Sequence, residues 1–237
     1  MFDFNDKVAL VTGAAGNLGQ AVAKGFFTAS ARLALVDRDT ERLANAFPDW
    51  AEDERVLMLD ADLTNDQSVQ SMAMEAAEHF GRVDILANIA GGFRMGPKVH
   101  ETSEKDWDFM LDLNTRSVFL TCKAIIPGML QQGGGRIVNV SARAAREGKA
   151  RMAPYCVSKA GVITLTEALA AEHKHDNIRV NCILPGTIDT PQNRTDMPDA
   201  DHSSWVPTGD LANVILFLVS DAARSVSGAA VPVFGRS

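Results

Sequence analysis

A chain of 237 residues can bury a large core, and one α/β domain of this length is ordinary. Hydrophobic residues make up 46% and charged residues 22%, the balance of a folded globular protein. The net charge of -7 argues against nucleic acid or an anionic membrane as a partner, and no apolar run is long enough to span a bilayer.

Met1 to Lys7 carry Asp3 and Asp6 and pass directly into a strand, unlike a secretory signal. Val8 to Thr12 is that first strand, and Asn17 to Ala29 reads as a helix. Arg32 to Val36 is the second strand, ending in Asp37. Thr40 to Asn45 is a short helix with Asp39 or Thr40 as its cap. Val56 to Leu59 is the third strand. Asp66 to Phe80 has helical periodicity and stops at Gly81, a C-cap signal. Ile85 to Ala87 is the fourth strand. Glu104 to Gln131 reads as one long helix, bent near Pro127 and ended by Gly133-Gly134-Gly135. Ile137 to Val140 is the fifth strand, Pro154 to His173 a long helix, and Val180 to Leu184 the sixth strand. Pro185 to Pro207 is polar and irregular. Leu211 to Val219 is a helix and Ala230 to Phe234 the last strand. This alternation predicts an α/β fold, a doubly wound parallel sheet with helices on both faces. No repeat or linker interrupts it, so residues 1–237 are expected to form one domain.

The first strand ends in Thr12-Gly13-Ala14-Ala15-Gly16-Asn17-Leu18-Gly19 and runs into a helix. Small residues there let backbone N–H groups close on a pyrophosphate at the helix N-terminus. Asp37, about 20 residues on, can accept hydrogen bonds from both adenosine ribose hydroxyls and would repel a 2′-phosphate. NAD is therefore expected over NADP, although Arg38 is adjacent and could swing to a phosphate. Asp62, after the third strand, could accept from an adenine amino group or merely cap a helix. Asn88-Ile89-Ala90-Gly91-Gly92 after the fourth is small enough for a ribose to approach. Ser141 ends the fifth strand, where its hydroxyl could donate to a substrate oxygen. Pro185-Gly186-Thr187-Ile188-Asp189-Thr190 follows the sixth and could contact a carboxamide.

Tyr155 and Lys159 stand four apart and share one helix face. A phenol titrates near ~10, and a neighbouring ammonium favours the phenolate. Such a pair could trade a proton with an alcohol or carbonyl oxygen, although many helices carry the same spacing without function. Asn114 lies mid-helix, where Asn is mediocre, so a kink holding water is expected there, with a plain surface Asn as the alternative.

Together these pieces resemble the short-chain dehydrogenase/reductase family over nearly the whole chain. The resemblance implies a seven-stranded Rossmann sheet and a proton relay. Tyr155 would be the acid/base, and Lys159 would lower its pKa and hold the nicotinamide ribose. Ser141 would orient the substrate oxygen, and Asn114 would hold a water linking Lys159 to solvent. Cofactor contacts would come from Gly13, Asn17, Leu18, Gly19, Asp37, Asp62, Leu63, Asn88, Ala90, Gly91, Tyr155, Lys159, Pro185, Ile188 and Thr190. Two positions depart from the family pattern. Asn17 stands where the middle glycine of the loop is usual, a place where tolerance of positive φ is expected to preserve binding. Ile89 replaces a second Asn after the fourth strand.

The implied function is hydride transfer between NAD(H) and a carbonyl or alcohol carbon of a small substrate. The segment from Pro185 to Pro207 is short for the family's substrate lid. Its Asp189–Arg194 and Met197–Trp205 stretches, with Gly91-Gly92-Phe93, are similar to dihydropteridine reductases, in which a flat pterin could stack on Phe93 or Trp205. Ser141 favours ordinary carbonyl or alcohol chemistry instead, and Trp205 reads equally as an anchor closing the loop. A dinucleotide-binding redox sensor without turnover is the reading from another class, and an intact Ser-Tyr-Lys set argues against it. Arg94, Lys98, Arg143, Arg146, Lys149 and Arg151 overhang the expected site mouth and could attract an anionic substrate, or belong to solvated loops. No metal site is expected. Cys122, Cys156 and Cys182 lack metal or redox spacing and fit reduced thiols in a cytoplasmic protein. The family commonly assembles as homotetramers or homodimers, with Val162, Leu165 and Leu169 offering apolar surface for core or partner.

Overall fold

Five-residue strand β1 (Val8–Thr12) is buried from end to end, and its neighbours explain why. It pairs in parallel with β2 (Arg32–Asp37) on one side and β4 (Ile85–Asn88) on the other. A parallel strand covered on both faces needs a continuous apolar run, which Val-Ala-Leu-Val supplies. The computed structural model, which describes residues 2–236, extends this pairing into one seven-stranded parallel sheet. Its order is β3 (Val56–Asp60), β2, β1, β4, β5 (Gly135–Val140), β6 (Ile178–Pro185) and β9 (Ala230–Val233). The order reverses between β1 and β4, which opens a crevice beyond the strands' carboxyl ends.

Helices cover both faces. On one, α1 (Asn17–Thr28) packs on α8 (Thr208–Val219), with α2 (Thr40–Ala46) beside them. Phe26, Leu43, Leu211 and Ile215 are fully buried in that layer, each worth roughly 1.5–3 kcal/mol relative to exposure. The other face carries α3 (Asp66–Phe80), α5 (Ser117–Gln131) and α6 (Ala153–Glu172) around Val69, Met129 and Val162. Asp39, not Thr40, caps α2, accepting from the Glu41 N–H. Gly81 ends α3 at φ +77, a left-handed cap. Among the described residues no helix is long and apolar enough to cross a membrane.

Three expectations need correction. The long helix expected over Glu104 to Gln131 is interrupted at a π turn over Asp112–Arg116, which falls where a kink was expected at Asn114 and separates α4 (Glu104–Leu111) from α5. Pro127 lies inside α5 without ending it. Lys123 and Pro127 are both exposed, so water can serve the carbonyl that the proline leaves without a partner. Gly135 opens β5 rather than ending a helix. The segment from Pro185 to Pro207 is ordered: β7 (Ile188–Asp189) pairs with β8 (Val206–Pro207), and α7 (Pro191–Asp196) lies between them, capped by Thr190. Val162 is core, whereas Phe119, Leu130 and Val157 carry the exposed apolar surface of α5 and α6.

Candidate active site

The crevice is a cleft of about 1040 Å³. The turn after β1 forms its floor. Gly13 sits at φ +64, and a Cβ there would lie 2.8 Å from the Ala90 Cα, so a side chain is excluded twice over. A Cβ on Gly19 would collide with the Gly13 carbonyl. Thr12 Oγ1 accepts from the Ile89 and Ala90 N–H groups at 3.1 and 3.2 Å, tying the turns after β1 and β4 together. Asn17 begins α1 and is not among the residues with positive φ, so the tolerance expected of it is not called upon. Gly16 precedes the helix in extended conformation at φ -75.

Asp37 ends β2 on the cleft wall, only 7% exposed. Its carboxylate accepts from the Ala15 N–H at 3.1 Å and the Arg38 N–H at 2.9 Å, and pairs with Arg42 at 3.1 Å. It thus staples the phosphate loop to β2 while facing the crevice. Arg38 and Arg42 also line the cleft. Asp62 lines it too, and hydrogen bonds from Thr64 hold its carboxyl below the usual carboxylate range. Leu18, Leu63, Gly91, Pro185, Ile188 and Thr190 complete the expected cofactor wall.

Ser141, Tyr155 and Lys159 meet on the opposite wall, brought there by β5 and the first turns of α6. Ser141 Oγ donates to the Lys159 carbonyl at 2.7 Å, which anchors the strand end to the helix. Lys159 is 4% exposed, and its ammonium donates to the Val140 carbonyl at 2.9 Å. Burial pushes it down to about 8. Burial also pushes the Tyr155 phenol up to about 12, helped by the neighbouring Cys156 thiol. The expected acidification of Tyr155 by Lys159 is therefore not present in this structure. The ammonium is turned onto a backbone carbonyl, and desolvation is the main cause of the phenol's rise.

Behind Lys159, the π turn places Asn114 fully inside. Its Oδ1 accepts from the Gly92 N–H at 3.0 Å, and its amide donates to the Gly92 carbonyl and Ser158 Oγ. A Cβ on Gly91 would stand 2.8 Å from Asn114 Oδ1 and 3.0 Å from Lys159 Nζ. The missing side chain leaves the space on which both groups converge.

Other expected residues lie elsewhere. Asn88 is buried away from the cleft: it donates to Asn139 Oδ1 at 2.9 Å and accepts from Thr121 Oγ1 at 2.7 Å, bracing β4, β5 and α5. Trp205 is 7% exposed and packs on His202 rather than lining the cleft, which leaves the anchor reading and removes it as a stacking platform. Arg94 pairs with Asp106 at 2.7 Å and lies over the Phe109 ring, outside the lining. Arg146 donates to the Ala230 carbonyl, also outside it. Arg143 does line the cleft, with its guanidinium over the Phe234 ring. Phe93 lines it as expected, edge-on to Tyr155 with ring centroids 5.0 Å apart. Sequence reasoning missed Arg42, Met95, Phe109, Leu113, Met152 and Met197, all of them in the lining. The four-residue spacing of Phe109 and Leu113 was the available signal for that pair.

The residues present fit a dinucleotide. The cradle formed by Gly13, Gly19 and Ala90 would be filled by any Cβ, a helix N-terminus follows it, and a carboxylate stands at the end of β2. Comparison with known proteins agrees. A family model described as short chain dehydrogenase matches residues 7–201. D-threitol dehydrogenase of Mycolicibacterium smegmatis is 38% identical, covering 99% of this chain and 94% of its own. The (2S)-[(R)-hydroxy(phenyl)methyl]succinyl-CoA dehydrogenase subunit BbsD of Thauera aromatica is 37% identical, covering 97% and 96%. The crystal structure of carveol dehydrogenase from Mycobacterium avium in complex with NAD superposes with a TM-score of 0.91 at 29% identity, covering 99% and 98%.

Proposed function

Because this chain belongs to the short-chain dehydrogenase/reductase family, and is an NAD(P)-dependent oxidoreductase, we propose that it moves a hydride between NAD(H) and a carbonyl or alcohol carbon through Ser141, Tyr155 and Lys159. The observation that carries the reading is their convergence on the same cleft as the glycine turn and Asp37. The relatives' names speak of threitol, a succinyl-CoA thioester and carveol, so dehydrogenation of an alcohol is what they share. NAD is the proposed preference, supported by the buried carboxylate of Asp37 where a 2′-phosphate would lie.

In the oxidative direction the Tyr155 phenolate takes the hydroxyl proton as the substrate's C=O bond forms, and in reduction the phenol gives that proton back. When bound, nicotinamide would accept or supply the hydride. Ser141 Oγ, turned from the Lys159 carbonyl toward the cleft, donates to the substrate oxygen. Lys159 would hold the nicotinamide ribose and, with Asn114 behind it, exchange protons with Tyr155 Oη. Replacing Tyr155 by Phe is expected to lower turnover roughly 10²–10⁴-fold. Binding of NADH, read by its fluorescence, should stay nearly unchanged. Retained turnover would remove Tyr155 from the mechanism.

The proposed assembly is a homodimer or homotetramer. Phe119 and Val157, 49% and 45% exposed on α5 and α6, support it. Light scattering on the purified chain tests it, and a monomer at working concentration would refute it.

A further inference from the structure

Part of the cleft wall is exposed apolar side chain. Among the described residues ten large apolar side chains are well exposed, and four of them, Phe93, Met95, Phe109 and Met197, line this cleft. They come from the turn after β4, from α4 and from the end of α7, with Phe93 against the Tyr155 ring. Wet apolar surface is unfavourable by roughly 25 cal/mol per Å², so a substrate that covers it is favoured over one that stays hydrated. Of the charged groups nearby, Arg143 lies over the Phe234 ring, and others are paired. Lys149 pairs with Glu147 at 2.8 Å and Arg94 with Asp106, while Arg151 Nε donates to the Gly96 carbonyl at 3.1 Å. Asn193 spends its amide on the Ile188 carbonyl at 2.8 Å. A carboxylate or a row of hydroxyls would have to break these pairs to be satisfied.

We propose that the preferred substrate is an uncharged, hydrocarbon-rich alcohol or ketone, its skeleton seated on Phe93, Met95, Phe109 and Met197. This rests on the reading that Tyr155 moves the proton. Phe93 is the specificity-determining residue, as the apolar wall nearest the phenol. The two flexible methionines adapt to ring or chain skeletons, so tolerance of shape accompanies intolerance of charge.

Three alcohols of matched size test this with NAD: 4-methylcyclohexanol, a cyclohexanetriol and 4-hydroxycyclohexanecarboxylate. The first should show a kcat/KM about tenfold or more above the others. Phe93→Ala should raise its KM about tenfold with NADH affinity unchanged, and Phe93→Leu should recover most of the loss. Preference for the triol or the carboxylate overturns the proposal while leaving the proton relay intact. So does a Phe93→Ala variant that slows all three alike. If none is oxidised, the relay reading is at fault, and the apolar seat is then judged by binding alone. Titrating 4-methylcyclohexanone into the NADH-bound protein should give a saturable fluorescence change that Phe93→Ala weakens. No change, or one that Phe93→Ala leaves unaltered, ends the proposal.

Discussion

Lys159 carries two consequences of burial that its spacing from Tyr155 does not reveal. The four-residue interval places both side chains on one wall, but the sign of each shift depends on what else surrounds them. Desolvation lowers the ammonium to about 8 and raises the phenol to about 12. Alcohol oxidation needs the phenolate, so its kcat/KM should climb with pH through the alkaline range, by up to about tenfold per unit. Carbonyl reduction needs the phenol and should show no such climb. A flat oxidative profile from pH 7 to 10 would place the proton acceptor elsewhere. The folding linkage has its own sign. Lys159 loses its proton earlier in the folded chain than in the unfolded one, so its burial penalty is present below about 8 and fades as pH rises towards about 10.4. Tyr155, raised above its unfolded value, acts oppositely and removes stability between about 10 and about 12.

Arg42 makes a second test at the same scale. Asp37 was legible as an acidic residue at a strand end, but its partner five positions on was not, because only the fold turns α2 back over β2. The guanidinium, 3.1 Å from the carboxylate, offsets charge that would otherwise repel a 2′-phosphate. Arg42→Ala should therefore weaken NADPH several-fold more than NADH, measured by fluorescence titration of each. An equal loss for both would mean that Arg42 serves the loop rather than the choice of cofactor.

Among the elements, the interrupted helix shows where periodicity misleads. Apolar spacing over Glu104 to Gln131 suggested one helix with a bend at Pro127 and a kink at Asn114, and only the second interrupts it. The actual interruption follows a demand for hydrogen bonds: Asn114 must reach both backbone groups of Gly92 and Ser158 Oγ, and an inserted π turn swings it inward. The same logic governs residues 185–207. Their polarity read as irregular, yet Val206 pairs through its N–H with the Thr187 carbonyl, and Trp205 closes the segment onto the body. Polarity there reflects a thin layer with one face in water. Strands β1, β2 and β4 were legible because parallel strands buried on both faces leave continuous apolar runs. Gly91→Ala tests the element junction. The added methyl would press on Asn114 Oδ1 and Lys159 Nζ, shifting the amine from its place. Turnover should fall at least about tenfold, with the melting temperature changed by only a few degrees. Full activity would show that the space between those groups is not needed.

At the scale of the whole molecule, Arg179 ties the last third of the chain to the sheet. It stands on β6, 8% exposed, and Nη1 and Nη2 donate to the carbonyls of Leu218, Ser220 and Ala223 at 2.8–2.9 Å. These are the orphan carbonyls at the end of α8 and the turn beyond it, where the helix dipole favours a cation. Burial, with Arg136 nearby, lowers the guanidinium to about 10 against the pull of Asp221, so it stays charged at neutral pH. In the sequence Ile178-Arg179-Val180-Asn181 reads as an ordinary alternation with the arginine in water, because the carbonyls that claim it lie some 40 positions later. Arg179→Met keeps most of the volume and removes the donors. Three carbonyls, two of them fully buried, then lose charged partners at about 1 kcal/mol or more each. For a chain of this size that corresponds to a melting temperature lower by roughly 6–12 °C. The loss should appear in the protein without cofactor, because the contact does not touch the cleft, and NADH titration of the variant should leave the gap between the two melting curves unchanged. A shift under about 2 °C would mean that water reaches those carbonyls and that α8 is held to the sheet by its apolar face alone.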